Sequence, residues 1–356
     1  MTYLHLASLI DILGLTSLSF LTSLMLSIGL VATARWHSFS ADQMVGVQKF
    51  HLETTPRVGG IAIYSGVGMA YLVAPLETGA ILGPMWIAGS FAFFIGLCED
   101  LTKRVSVRAR LLATIFSGLA GYAITGVSLE RVGVQLLDPL FSYAIISVVF
   151  TSLAVGGIAN AINIIDGLNG LASSMLIIAL VALAVIAQAV GDSNLAISCL
   201  VVAASIFGFF LINWPLGKLF MGDGGSYFSG FAFAWVGVLL VMRNPSISPF
   251  AVLILCIYPF TEVLFSVYRR HNKNLSLSEP DRQHLHSLIY RRYILSIDPT
   301  VKENSVAGII VGLLSVPSGI VAYLVRDSNW LAFLACFGFI SGYIVTYRRV
   351  VRFKWG

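Results

Sequence analysis

Charge is scarce in this chain. Only 11% of its 356 residues are Asp, Glu, Lys or Arg, against about 25% in an ordinary soluble domain. Amphipathic alternation is also missing: 57% of the residues are hydrophobic, and whole segments are apolar all round, which excludes a soluble fold built from one-sided helices or strands. Cysteine is rare. Cys98, Cys199, Cys256 and Cys336 fall one per apolar segment, which excludes a disulfide framework and a CxxC metal motif and leaves small buried residues. No GxxxxGK[ST] phosphate loop is present. No basic patch is interleaved with aromatics, so the net charge of +5 does not point to nucleic acid. The first apolar stretch has neither a basic start nor a cleavage site, so no removable signal peptide is expected. Low-complexity linkers are lacking too, and residues 1–356 read as one domain.

What is present is a succession of apolar stretches near the length that crosses a bilayer core. They predict an all-α polytopic membrane protein of about eleven spans, at about 5–33, 58–76, 82–98, 108–127, 140–158, 170–190, 194–212, 226–242, 249–268, 304–325 and 330–347. The linkers alternate between short ones poor in charge and longer basic ones. Of the 22 Lys and Arg residues, only Arg131, Arg243 and Arg326 lie in the first set. The positive-inside rule then places the N-terminus outside and the C-terminus in the cytoplasm.

Four polar clusters interrupt this apolar chain, all on the side assigned to the cytoplasm. The first is Glu99-Asp100, followed by Lys103, Arg104, Arg108 and Arg110. Adjacent carboxylates repel unless a cation sits beside them, and Mg²⁺ with phosphate oxygens is one resolution. A solvated loop neutralised by its arginines is another. In the second, Asn160, Asn163 and Asp166 are spaced to share a helix face before Gly167, with Asn169 beyond. Amides and a carboxylate there can read a polar ring or hold a metal, or they can cap a helix end. The third, Gly222-Asp223-Gly224-Gly225-Ser226, opens a span. Its glycines would let backbone N–H groups approach an anion, and Asp223 could ligate Mg²⁺ or cap the helix. The fourth is Asp281-Arg282-Gln283-His284-Leu285-His286 in the basic segment 269–303. Arg and His cations suit phosphate; zinc lacks a fourth ligand of convincing spacing. Glu262 lies inside a span, where an ionisable group is costly and a functional candidate by default. Upstream, His51 and Thr55-Pro56-Arg57-Val58-Gly59-Gly60 join a rigid turn to a helix start. That segment suits a ligand contact and tight packing equally well.

In this order, from about residue 50 to 292, the motifs resemble the polyprenyl-phosphate N-acetylhexosamine-1-phosphate transferases, and the eleven spans resemble the branch that initiates O-antigen and common-antigen synthesis. Glu99-Asp100 stands at the family's paired aspartates, Asn160, Asn163, Asp166 and Gly167 at its NxxNxxDG segment, and Asp223 at the aspartate of its Gly-Asp-x-Gly-Ser segment. His284 and His286 match the first two histidines of HxHH, and Thr55-Pro56 with Gly59-Gly60 match TPxxGG. The chain departs from the pattern at Glu99, where the family has aspartate. It departs again at Asn169, where many members have a second aspartate, and at Ser287, which replaces the last histidine.

The resemblance implies transfer of a sugar 1-phosphate from a UDP-N-acetylhexosamine to undecaprenyl phosphate in the bacterial inner membrane, with release of UMP. It implies Mg²⁺, replaceable by Mn²⁺, held by Asp223 and Asp100, with Glu99 and Asp166 also catalytic. Asn160, Asn163, Asn169, His51 and Thr55 would contact substrate, while Arg282, His284 and His286 would hold the pyrophosphate. A homodimer is left open. The rival reading is a secondary transporter of an anionic solute, which should carry its polar groups near the midplane in both halves.

Overall fold

The computed structural model describes residues 2–36, 55–274, 281, 283–294 and 302–352. Of the candidate site residues, His51 and Arg282 lie outside this set. Among the described residues every regular element is helical. The chain runs α1 (Thr2–Ala32), α2 (Gly59–Val73), α3 (Leu76–Thr102), α4 (Val107–Thr125), the short α5 (Asp138–Phe141), α6 (Ala144–Ile165), α7 (Leu171–Ala189), α8 (Ser193–Asn213) and α9 (Gly222–Arg243). Then come α10 (Pro249–Leu255), α11 (Ile257–Asn272), the short α12 (Leu285–Ile289) running into a π-turn (Tyr290–Ile294), α13 (Lys302–Leu313), α14 (Ser315–Val325) and α15 (Asn329–Arg352).

Among the described residues nine helices are long and apolar enough to cross a membrane, counting 304–325 as one. The two remaining expected spans differ in form. The one at 58–76 is α2, an apolar helix of 15 residues that ends where Pro75 starts the next helix. The one expected at 249–268 is broken: α10 and α11 meet at Cys256 with an 80° bend. The composition of α11 explains the break. Only its first residues continue the apolar run, and it then carries Glu262, Arg269, Arg270 and His271, which a straight continuation would carry through hydrocarbon.

The centre of the fold is α9, whose residues from Gly222 to Val241 are all buried. Helices α2, α3 and α6 pack around it, with α7 and α8 beyond. Without a hydrophobic drive between helices in lipid, association depends on close backbone approach through small residues, and the contacts here are of that kind. A Cβ on Gly60 would sit 2.3 Å from the Gly225 nitrogen, one on Gly96 2.4 Å from the Gly224 nitrogen, and one on Gly230 2.8 Å from the Ala159 Cα. The first two positions bring the N-terminus of α2 and the last turns of α3 against the N-terminus of α9. The segment before α2 runs beside the chain entering α9: Phe220 N–H donates to the Pro56 carbonyl, and Gly59 and Gly60 N–H donate to Phe220 and Met221, each at 2.9 Å.

Gly60→Ala is expected to destabilise the protein by about 1–3 kcal/mol, because the new methyl meets rigid backbone rather than a movable side chain. Thermal unfolding in detergent measures it; Gly157→Ala, which has open space around it, is the neutral comparison.

Candidate active site

A helix buried at its N-terminus has amide groups with no partner inside the helix. For α9 the partner is a carboxylate. The two oxygens of Asp100, in the last turn of α3, accept from the N–H groups of Asp223 and Gly224, each at 2.9 Å. Gly222 makes this approach feasible: it has φ +73°, and a Cβ there would stand 2.6 Å from Asp100 Oδ2 and 2.1 Å from the Arg57 carbonyl oxygen. The glycines do bring backbone N–H groups to an anion, as their spacing suggested, but the anion is this chain's own Asp100.

Asp223 is the centre of the constellation. Its Oδ1 accepts from Arg57 Nη2 and from Asn163 Nδ2, both at 3.1 Å, and its Oδ2 accepts from Arg110 Nη1. Asn163 also donates to Ser226 Oγ at 2.9 Å, and Arg57 Nε lies 3.7 Å from Asp100 Oδ1. Five elements therefore meet at one point: the turn before α2, the end of α3, the start of α4, the end of α6 and the start of α9. Arg57 and Arg110 keep 29% and 18% of their side-chain surface exposed. The cluster thus opens to the outside while Asp100 and Asp223 are buried.

Asp166, immediately after α6, faces the same centre. Its carboxyl is pushed well above the ordinary carboxylate range by burial, against the attraction of Arg57 and with the repulsion of Asp223 and Asp100. Its backbone N–H donates to the Asn163 carbonyl, but among the described residues no hydrogen bond to the carboxyl itself is found. An oxygen donor left unsatisfied beside another carboxylate suits a hard cation. In that respect Asp166 fits Mg²⁺ better than Asp100, whose oxygens already accept two amides, and Asp223 would exchange one of its guanidinium or amide donors to share the ion. No group of three His, Cys, Asp or Glu side chains among the described residues is arranged as a metal cage.

Other sequence candidates occupy structural positions. Asn160 donates to Thr114 Oγ1 at 2.7 Å and to the Gly156 carbonyl at 2.8 Å, tying α6 to α4. Asn169 is buried; its N–H donates to Asn304 Oδ1 at 3.0 Å and its amide to Ser305 Oγ at 3.3 Å, which fastens the turn after α6 to α13. Glu99 accepts from Val105 N–H at 2.8 Å and so closes the turn into α4. Thr55 donates to the Gly217 carbonyl at 3.3 Å.

The histidine segment is held by a polar stripe on α11. Tyr258, Glu262, Ser266 and Arg269 recur at helical spacing on one face. Tyr258 meets His286 Nδ1 at 3.0 Å, and Glu262, fully buried, meets His284 Nδ1 at 3.0 Å and accepts from Leu285 N–H at 3.1 Å. Ser266 and Arg269 both bond Asp281. Although burial opposes it, these bonds hold the Asp281 carboxyl below its usual range. The imidazoles of His284 and His286 stack with centroids 5.5 Å apart. His286 Nε2 lies 3.3 Å from where a Cβ on Gly167 would be, so this segment abuts the turn carrying Asp166. Burial pushes the His286 imidazole down to about 4, so it is neutral rather than the cation expected for phosphate. Arg57, Arg110 and Ser226 were not singled out from the sequence. Arg57 lay within the Thr55–Gly60 motif and Ser226 within Gly222–Ser226, but neither was given a role; Arg110 sits in a basic segment where the positive-inside bias already accounts for it.

Asp100→Ala leaves two amides of α9 unsatisfied and is expected to cost about 1–3 kcal/mol. Asp166→Ala removes a partly exposed carboxyl for which no side-chain hydrogen bond is found among the described residues, and should leave the unfolding midpoint unchanged or raised. Thermal unfolding of both variants in detergent makes the comparison. For His286, ring resonances in NMR should not titrate over about pH 5–8, where an unperturbed histidine does.

Comparison with known proteins follows the same lines. The profile of Glycosyl transferase family 4 matches residues 82–241, which include Asp100, Arg110, Asn163, Asp166 and Asp223. The chain is 31% identical over 255 residues to the undecaprenyl-phosphate alpha-N-acetylglucosaminyl 1-phosphate transferase of Yersinia pestis, covering 68% of each protein. It is 30% identical over 241 residues to the probable undecaprenyl-phosphate N-acetylglucosaminyl 1-phosphate transferase of Bacillus subtilis (strain 168), covering 67% of this chain and 66% of that relative. Against the Escherichia coli (strain K12) undecaprenyl-phosphate alpha-N-acetylglucosaminyl 1-phosphate transferase it is 29% identical over 311 residues, 84% of this chain and 82% of the relative. With the polar groups gathered at one end of an apolar helical bundle and relatives of this kind over two thirds of its length, the chain belongs to glycosyl transferase family 4, the polyprenyl-phosphate N-acetylhexosamine-1-phosphate transferases.

Proposed function

We propose that the protein transfers an N-acetylhexosamine 1-phosphate, with N-acetylglucosamine 1-phosphate the first to be tried, from its UDP derivative to undecaprenyl phosphate. UMP leaves, and the lipid-diphospho-sugar starts a surface glycan. The observation that carries this reading is Asp223 at the head of a buried helix, flanked by two half-open guanidinium groups and an amide. The names of the relatives supply the substrates to test. The cytoplasm is the side proposed for the site, because 19 of the 22 Lys and Arg residues lie in the linkers on that side.

In the reaction an oxygen of the lipid phosphate bonds to the sugar-bearing phosphorus, and the bond from that phosphorus to UMP breaks. A phosphomonoester has a second pKa of about 6, so the nucleophile is already largely ionised at neutral pH. The barrier is therefore mainly the meeting of two anions, and cations positioned in advance lower it. Arg57 and Arg110 place guanidinium charge beside Asp223, where the phosphate oxygens of the substrates would meet it. Asp223 and Asp166 are the residues that would hold Mg²⁺, which when bound supplies positive charge to the phosphates. Asn163, with its carbonyl oxygen left over, is placed to accept from the nucleotide. His284, held through Nδ1 by Glu262, keeps Nε2 for the pyrophosphate.

Purified protein in detergent, given Mg²⁺, undecaprenyl phosphate and a panel of UDP-sugars, is expected to release UMP only when lipid and the matching sugar are both present. Asp223→Asn should lower the rate by on the order of 10²–10³-fold, the scale of losing one aligned electrostatic group. Full activity in that folded variant, or UMP release without lipid, would overturn the assignment.

A further inference from the structure

The stripe on α11 that holds the histidine segment also ties that segment to α15. Arg269, besides bonding Asp281, donates through Nη1 to the Gln283 carbonyl at 2.9 Å and to the Tyr347 hydroxyl at 2.7 Å. Its guanidinium lies over the Tyr347 ring, 5.6 Å from the centroid, and Phe265 meets the same ring at 4.7 Å. The ends of α11 and α15 are thereby joined beside residues 281–286. Between them and the π-turn lies a pocket of about 330 Å³, whose walls include Phe265, Tyr268, Lys273, Gln283, Arg292 and Tyr347. The reaction proposed above makes no use of it.

The walls are of two kinds. Phe265, Leu288 and Tyr347 supply apolar surface, while Lys273 and Arg292 bring cationic groups, and among the described residues no carboxylate lines the pocket. Arg292 is held by the Val350 and Val351 carbonyls at the end of α15. Lys273 is exposed and, among the described residues, its ammonium has no ion pair. The surface beside the pocket is apolar and open: Leu264, Val267 and Tyr268 of α11 and Val345 and Val351 of α15 are all exposed. Cations set over apolar side chains at the ends of two helices match a ligand with an anionic head and a hydrocarbon tail. An exposed tyrosine there suits the level where bilayer meets water. A soluble anion would use the cations alone.

We propose that this pocket binds the headgroup of an anionic phospholipid of the surrounding bilayer, and that the bound lipid steadies the histidine segment. The link runs through the pocket walls. Gln283 precedes His284 and is bonded to Arg269, and the N–H of Leu288 donates to the His284 carbonyl at 2.9 Å. A ligand held against Lys273, Gln283 and Leu288 therefore fixes the chain on both sides of His284. The phospholipid is a ligand of the scaffold and takes no part in the transfer; only its consequence for catalysis rests on the reaction proposed above.

Full-length protein in a nonionic detergent, without substrates, is mixed with phosphatidylglycerol, phosphatidylcholine or glycerol 3-phosphate. Retained lipid is counted by native mass spectrometry, and amide hydrogen exchange is followed over 283–289. Phosphatidylglycerol should be retained and should slow exchange in that segment. Phosphatidylcholine, with the same chains, and glycerol 3-phosphate, with a phosphate but no chains, should do neither. Lys273→Ala should weaken phosphatidylglycerol binding about fivefold, the worth of one basic residue at an anionic surface. Arg349→Ala removes an exposed cation at the end of α15 outside the pocket and should leave binding unchanged; both side chains are exposed, so neither change disturbs packing. Equal losses in the two variants, or equal retention of phosphatidylcholine, overturn the proposal in favour of general attraction to a basic face. An equal effect of glycerol 3-phosphate overturns it in favour of a soluble phosphate ester, and displacement by equimolar undecaprenyl phosphate overturns it in favour of the acceptor. Retention without slowed exchange overturns the link to the histidine segment. Neither readout involves transfer, so an absence of UMP release would remove the proposed reaction and leave this site standing, and an absence of retention would do the reverse.

Discussion

The first amide groups of α9 have no carbonyl within their own helix, and in the interior of a membrane protein they cannot turn to water. Asp100 satisfies two of them, and the rest of the site follows from that choice. Its buried negative charge favours a cation nearby, which is Arg57. Arg57 can reach it only if the turn before α2 lies against the start of α9, and that approach requires glycine at positions 60 and 225. Arg57 in turn reaches Asp223, which sits one residue into the capped helix. The same interactions that let a helix begin in an apolar interior thus set the position of the carboxylate at the centre of the site.

Burial makes this arrangement demanding as well as rigid. A buried ion pair must offset the loss of hydration of both partners, and it does so only when further hydrogen bonds complete it. Asp223 has that completion from Arg57, Arg110 and Asn163. Asp166 does not, and its carboxyl is raised accordingly. Among carboxylates so close together, the one left without a partner is the one most altered by arrival of a cation, which is the physical reason to look for Mg²⁺ there.

A second polar assembly supports the first from the side. By bending away from α10, α11 presents Tyr258, Glu262, Ser266 and Arg269 to the segment 281–286, and each stripe residue takes up one or more groups of that segment. A glutamate that reads as an isolated intramembrane charge is thereby a clamp for a histidine. The clamp brings His286 against Gly167, so α11 and the turn after α6 meet even though nearly a hundred residues of chain separate them.

Apolar segment lengths were enough to determine an all-helical membrane protein, its approximate spans, and the gathering of its polar motifs at one end, because crossing hydrocarbon imposes a minimum length on any helix that does it. Motif order was enough to identify the family, and the structure brings Asp223, Asn163 and Asp166 of those motifs together. Which oxygens were already engaged depended on contacts between distant segments, and only the tertiary structure decided that. It turned Asp100 into a helix cap, gave Asn160, Asn169, Glu99 and Thr55 structural partners, and drew Arg57 and Arg110 out of basic segments that looked alike in composition. It also broke the expected span at Cys256, since the apolar content of 249–268 does not record where the polar face of α11 must turn. Sequence spacing fixes which residues share a helix face, but the partner that face meets is set by packing between helices, and the chemistry of each polar group here depends on that partner.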